Sequence, residues 1–328
     1  MRRYDELLRR DDAPPGSSWG LFGGDDELGT VNLLTPERVL RGVGCVRRGQ
    51  VFNLDLALDA FTPSIWGHRS PPVHRIIQLY DNHRDDYLET LYLQGTTQVD
   101  GLRHYRDADH GFYNGVPDYD IRSGSPRLGI NRVSEHGIVG RGVLLDVEAY
   151  LAAAGTPIDH EHWGAISAEV LEETARDQGV ALEAGDILLI RTGFARHVLG
   201  LPESRRAALA EAMVSVGLEQ SQAMVGWLWD HQAAVVAADN FAVEAFPPAA
   251  DSPFLTRDER AGGQSSRLTG AMHRALIPLL GVTLGELWWL EDLAADCASD
   301  GVYEALVVAK PLNLTGGVGS PANAVAVK

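Results

Sequence analysis

The segment Gln94-Gly-Thr-Thr-Gln98-Val-Asp100-Gly-Leu-Arg-His104 holds a dense set of groups able to do chemistry. Gln94, Thr96, Gln98, Asp100 and His104 all carry even numbers, and on an extended strand alternate residues share one face. Gln98 and Asp100 then lie roughly 7 Å apart at their Cα atoms, close enough to converge on one small ligand or ion. Gln94 lies roughly 13 Å from Gln98 on a straight strand, so its convergence requires a bend, which Gly95 could supply. A solvent-facing edge strand has the same spacing, so the pattern leaves both readings open.

Two more candidates lie far along the chain. His273 falls inside the apolar band Leu268, Met272, Ala275, Leu276, Leu279 of a helix expected over 267–280. There it reads either as a hydrogen-bonded core residue or as a catalyst. Glu286 lies between Leu284-Gly and Leu287-Trp-Trp, so it is in an exposed turn or paired with a buried base. Pairing would raise a histidine pKa and hold one ring tautomer. Trp66, Tyr105, Phe112 and Tyr113 flank the polar segment, and Phe254 lies in the aperiodic stretch 246–266, read as an active-site loop. They suit either the wall of a planar-substrate pocket or ordinary packing. Arg103 reads as a substrate-carboxylate clamp or a surface ion-pair partner, and His160-Glu161-His162 as a solvated loop.

The elements that must position these residues alternate. Val51–Leu58, Gly142–Val147, Asp186–Arg191, Ala233–Ala238 and Glu304–Ala309 read as strands, and 87–100 as extended chain. Helices are expected after Thr35, from Ser167 to about Gln178, over 203–215, 219–231 and 267–280, and near 290–299. Residues 1–30 read as an irregular arm anchored by Trp19, Leu21 and Phe22, and 59–74 as a loop. The class is α/β. No linker composition divides the chain, so residues 1–328 are read as one domain.

The 328 residues carry 28 Lys+Arg against 45 Asp+Glu, a net charge of −17. That field repels phosphate backbones and anionic lipid, arguing against nucleic acid and membrane partners. Cys45 and Cys297, far apart, build neither a disulfide framework nor a zinc ribbon. No apolar leader precedes the arm, and a cytoplasmic protein is expected. Gly42-Val-Gly44-Cys-Val-Arg47 ends in Arg where a dinucleotide loop needs Gly, and no Gly-x-Ser-x-Gly, Walker or His-Glu-x-x-His motif occurs.

The polar segment resembles the signature His-x-Gly-Thr-His-x-Asp-x-Pro-x-His of the cyclase family that includes kynurenine formamidase and isatin hydrolase. Further blocks resemble that family in order: Trp19-Gly, Asp26-Glu-Leu-Gly-Thr-Val-Asn, Phe112-Tyr-Asn-Gly, Gly140-Arg-Gly-Val-Leu-Leu-Asp, Gly185-Asp-Ile-Leu-Leu-Ile-Arg-Thr-Gly, Asp239-Asn and Gly316-Gly-Val-Gly-Ser-Pro-Ala-Asn. The resemblance implies a swivelling β/β/α fold with a central barrel-like sheet flanked by helices. It also implies a homodimer or higher oligomer whose sites are partly built at subunit contacts, with the arm and the 246–266 loop as contributors. It places His273 and Glu286 beside Asp100 and His104.

This sequence departs from the family at two metal-binding histidines, which are here Gln94 and Gln98. A carboxamide oxygen is a weak donor where imidazole suits zinc, manganese or iron. A site without a tightly bound metal is therefore expected, although Asp100, His104 and His273 leave zinc or manganese open. The implied chemistry is hydrolysis or reversible closure of a cyclic amide or lactone of a small aromatic substrate. In a metal-free version His104 is the base oriented by Asp100, and His273 with Glu286 is the acid. Gln94 and Gln98 hydrogen-bond the substrate, and Trp66 and Tyr113 wall it. A metal-independent cyclase, dehydratase or isomerase acting on a polyketide-type compound, and a non-catalytic binder, are the alternatives.

Overall fold

Ile138–Asp146, Ile187–Arg191, Val235–Ala238 and Thr283–Glu286 are short, largely apolar runs, buried along nearly their whole length. Such runs suit the middle of a sheet covered on both faces, and here they pair in parallel. In the computed structural model, which describes residues 1–262, 266 and 268–328, they form the centre of a nine-stranded mixed sheet. Glu304–Ala309, Ala324–Val327 and Val51–Asn53 add antiparallel on one side, Gln98–Asp100 and Gly319–Pro321 on the other.

Connectivity forces the sheet to curl. Gly319–Pro321 is one edge, whereas Ala324–Val327 is second from the opposite edge. In a flat sheet those positions are seven spacings apart, ~34 Å. Ala322 and Asn323 can bridge at most about 11 Å. The two edges therefore approach each other, and the sheet is the barrel-like, helix-flanked architecture expected. Side-chain alternation splits the core in two. Val143, Leu145, Leu188 and Ile190 pack into one apolar cluster with Met224 and Leu228. Leu144, Ile187 and Leu189 pack into the other with Val99 and Trp288.

Ser167 and Ser221 accept from the backbone of Val170 and Met224 and start the helices Ala168–Asp177 and Gln222–Asp230. Glu203–Ala212 and Glu291–Asp300 match their expected places. The helix expected over 267–280 does not form as such: His273–Leu276 is a single turn, and Arg267 lies outside the described residues. Pro278 lacks the N–H that would continue the ladder past Ile277, which itself still has helical φ and ψ. The arm is irregular beyond Tyr4–Leu7 and lies on its own chain: the Trp19 indole donates to the Pro278 carbonyl at 2.7 Å and Tyr4 Oη to Gln222 at 2.6 Å. Residues 74–88 form a hairpin, His74–Tyr80 with His83–Leu88, exposed along both strands.

Asp55 follows the edge strand Val51–Asn53 and accepts from Ala324 N at 2.6 Å. Burial pushes its carboxyl up to about 6. The folded state then binds a proton that the unfolded chain has released, so this group favours folding below about pH 4 and loses that contribution as pH rises to about 6. Chemical denaturation at pH 4 and pH 7 should show wild type losing stability relative to Asp55→Asn between the two. A relative gain would contradict the assignment.

Candidate active site

Strand Gln98–Asp100 lies between Thr283–Glu286 and Gly319–Pro321, with Glu286 opposite Gln98 and Gly319 opposite Asp100. Gln98 and Asp100 share a face, as the period of two requires, while Val99 enters the cluster around Trp288. Both polar side chains are fully buried, which rules out the solvent-facing reading. Gln98 Nε2 donates to Glu286 Oε2 at 2.5 Å. Before the strand the chain turns, Gly95 N donating to Tyr92 O at 2.9 Å, and this supplies the bend. Gln94 Nε2 and Asp100 Oδ1 consequently flank the same space beside Gly319. Thr96 is buried and donates to the Ala57 carbonyl, a structural role.

His273 arrives from the opposite side. After strand Val235–Ala238 the backbone reverses through Ala242 and Val243, at φ 79° and 58°. A β-branched residue at positive φ is strained, and the reversal brings Glu244 to the turn that carries His273. The Glu244 carboxylate accepts from Met272 N at 2.6 Å, His273 N at 3.0 Å and Gln220 Nε2 at 2.9 Å, and lies 2.5 Å from His273 Nδ1. His273 Nε2 lies 3.3 Å from Glu286 Oε1. Burial opposes the imidazolium, but the hydrogen bonds to Glu244 and Glu286 outweigh it and lift His273 to about 10. Burial likewise opposes the Glu286 carboxylate, yet His273 holds it below the usual range.

His104 has the opposite environment. Burial, then the neighbouring His273 charge, presses its pKa down to about 4. Its Nε2 is 3.8 Å from Asp100 Oδ2, too long for a hydrogen bond. The expected orientation of His104 by Asp100 is therefore proximity rather than a bond. Burial and the Glu286 charge push the Asp100 carboxyl well above its usual range, and neither of its oxygens has a hydrogen-bond partner among the described residues. The His104 and His273 ring centroids are 6.4 Å apart, with Tyr105 5.2 and 5.0 Å from them.

His104, His273, Glu244 and Glu286 open onto a cavity of about 430 Å³ walled by Trp66, Tyr105 and Phe246 among others, whereas Gln94, Gln98 and Asp100 lie behind its lining. Trp66 packs edge-on against Phe241 and Phe246 at 5.2 and 5.5 Å. From the expected loop 246–266, Phe246 and Ser266 reach the cavity; residues 263–265 lie outside the described residues. Tyr113 does not reach it: its ring is fully buried in the core and its hydroxyl donates to Asp26 Oδ2 at 3.0 Å. Phe112 and Phe254 also pack into the main core. Arg103 is neither clamp nor surface partner, since its buried guanidinium donates to the carbonyls of Ser125, Gly316 and Arg122. His160 is buried and stacked on His197 at 4.9 Å, not solvated.

Residues 53–245, more than half of the chain, match the cyclase family. The chain belongs to that family. A crystal structure described as a novel cyclase superposes with a TM-score of 0.79 at 34% identity, covering 95% of this chain and 99% of that one. The isatin hydrolase A of Ralstonia solanacearum has a TM-score of 0.56 at 16% identity, covering 85% and 92%. A predicted metal-dependent hydrolase from Bacillus stearothermophilus has 0.50 at 14%, covering 85% and 98%; these two share the fold. No curated protein matches the chain.

In this cyclase-family chain Asp100, His273 and Glu286 each place a ligand atom within 4.8 Å of the others. Glu244 on Nδ1 turns Nε2 of His273 toward that group, the way carboxylates orient metal-bound histidines. The unpartnered Asp100 oxygens complete a donor set that fits a divalent cation. His104, expected among the ligands, stands outside this trio. Sequence reasoning missed Glu244 and Arg69. Glu244 carries the signal that exposed Glu286, a lone carboxylate within an apolar run, here Phe241-Ala-Val-Glu244-Ala-Phe.

Proposed function

We propose that this enzyme opens, or reversibly closes, the ring of a cyclic amide or lactone of a small planar substrate, with His104 as general base and His273 as general acid. The observation that carries the reading is one cavity holding two imidazoles, His273 clamped between two carboxylates and His104 with none in hydrogen-bond reach. Paired groups in opposed environments divide the acid and base roles. His104 takes a proton from water as it attacks the ring carbonyl; His273 Nε2 returns one to the leaving oxygen or nitrogen; ring closure reverses both transfers. The Gln94 amide donates toward the carbonyl oxygen. Gln98 does not, because its N–H group is committed to Glu286; it holds that carboxylate against His273. Trp66 and Tyr105 stack on the planar substrate.

A zinc or manganese ion held by Asp100, His273 and Glu286 would activate water and polarise the carbonyl, and His273 would then serve as a ligand in place of its acid role, since a metal-bound Nε2 carries no proton. Gln94 and Gln98 replace two imidazole donors, so binding is expected to be weak. Protein dialysed against EDTA should keep its fold and then take up one Zn or Mn with micromolar or poorer affinity, and Asp100→Asn should abolish uptake. Stoichiometric metal that survives EDTA dialysis would contradict this.

The reaction is tested on lactones, cyclic imides and isatin, with mass spectrometry reading addition of one water. Ring opening, or closure of the corresponding open acids, is expected for at least one class. Full recovery of every compound in both directions refutes the reading and leaves a ligand binder.

A further inference from the structure

The cavity holds a cation that the acid–base chemistry does not use. Arg69 lies on its wall, with its guanidinium 4.9 Å from the centre of the Trp66 ring. Its Nη1 donates to the Gln94 carbonyl, in the turn that delivers Gln94 to Asp100. No carboxylate lies within ion-pair distance of it among the described residues, although its charge acts at longer range on Asp100 and Glu286. The other arginines on the wall differ: Arg274 is held by Glu259 at 2.6 and 2.8 Å, and Arg106 lies 3.9 Å from Asp118. The carboxylates on the wall, Glu244 and Glu286, are committed to His273 and Gln98.

A guanidinium has five N–H donors in a fixed plane. One is used here, and the guanidinium carbon is held over the Trp66 ring. Loss of side-chain freedom is thus already met before a ligand arrives, and the remaining donors suit the two oxygens of a carboxylate.

We propose that Arg69 is a specificity residue, and that the substrate class is a planar ring compound bearing a carboxylate in addition to the carbonyl that reacts. The inference rests on the acid–base site described above and names what that site receives. Trp66 packs the ring, Arg69 holds the carboxylate, and the tie from Arg69 to Gln94 sets the distance between the held anion and the reacting carbonyl.

Titration calorimetry with benzoate and benzamide, of like shape and different charge, tests this without turnover. Wild type should prefer benzoate at least tenfold, and the preference should shrink as salt rises. Arg69→Gln should cut the benzoate-to-benzamide ratio at least tenfold, and Arg69→Lys should retain part of it. With substrates, Arg69→Gln should raise KM for 5-carboxyphthalide 10- to 100-fold, with a much smaller change in kcat. The proposal is overturned if wild type shows no benzoate preference, or if Arg69→Gln leaves the ratio unchanged. Absence of turnover alongside an Arg69-dependent ratio would instead remove the ring-opening reading and leave the anion site standing.

Discussion

Replacing His104 by Ala should lower kcat by about 10²–10⁴-fold, the usual contribution of a positioned general base, with little effect on folding. The ring keeps 19% of its side-chain surface open and is not in hydrogen-bond range of Asp100, so truncation breaks no buried pair. His104 N still donates to the Gly101 carbonyl at 2.9 Å, so the turn that follows the strand survives the change. Unfolding free energy should move by no more than about 1 kcal/mol. The contrast between the two readouts is the point: a structural histidine would move stability first. Turnover within tenfold of wild type by a folded His104→Ala protein would remove His104 as the base. Addition of imidazole, small enough for the vacated space, should restore part of the lost rate.

How far the sequence reached follows from what each signal encodes. A strand repeats every two residues, so the common face of Gln98 and Asp100 could be read directly, and three of the four parallel strands declared themselves as short apolar runs, while Thr283–Glu286, broken by Gly285 and ending on a carboxylate, did not. The bend at 92–97 was required by distance alone. Spacing is silent, however, on tertiary partners that carry no periodicity. Asp100 and His104 are four residues apart and close in space, yet without a bond; His273 and Glu244 are 29 apart and directly bonded. Arginine is the hardest case, since its long side chain can end far from its Cα. Arg103, next to the signature, turned inward to carbonyls, while Arg69, in a proline-rich loop, reached the cavity. The helix expected around His273 failed through weighing an apolar band above Pro278, although a proline within a helical pattern is itself a stop signal.

The second large effect belongs to Glu244. Its carboxylate is the acceptor for two backbone N–H groups, the Gln220 amide and the His273 ring, all in the buried interior. Glu244→Ala would leave each of those donors without its partner where water has little access, and the loss of one member of a buried charged pair costs about 3–5 kcal/mol. The damage should also reach chemistry, because Nδ1 of His273 would lose the bond that fixes its tautomer and raises its proton affinity. Glu244→Gln separates the two effects. The amide keeps the volume and one acceptor, so stability should fall much less, but it removes the negative charge. In that variant the His273 ring nitrogens, followed by NMR, should release their proton at a lower pH than in wild type, and kcat should fall at least tenfold. Glu244 acts through His273, so it is a positioning residue, and the ring titration is the readout that packing alone would not shift. If Glu244→Ala unfolds within 1 kcal/mol of wild type, or if His273 titrates identically in Glu244→Gln, the clamp around the acid has been misassigned. The strain at Ala242 and Val243 would then have no role in placing this carboxylate.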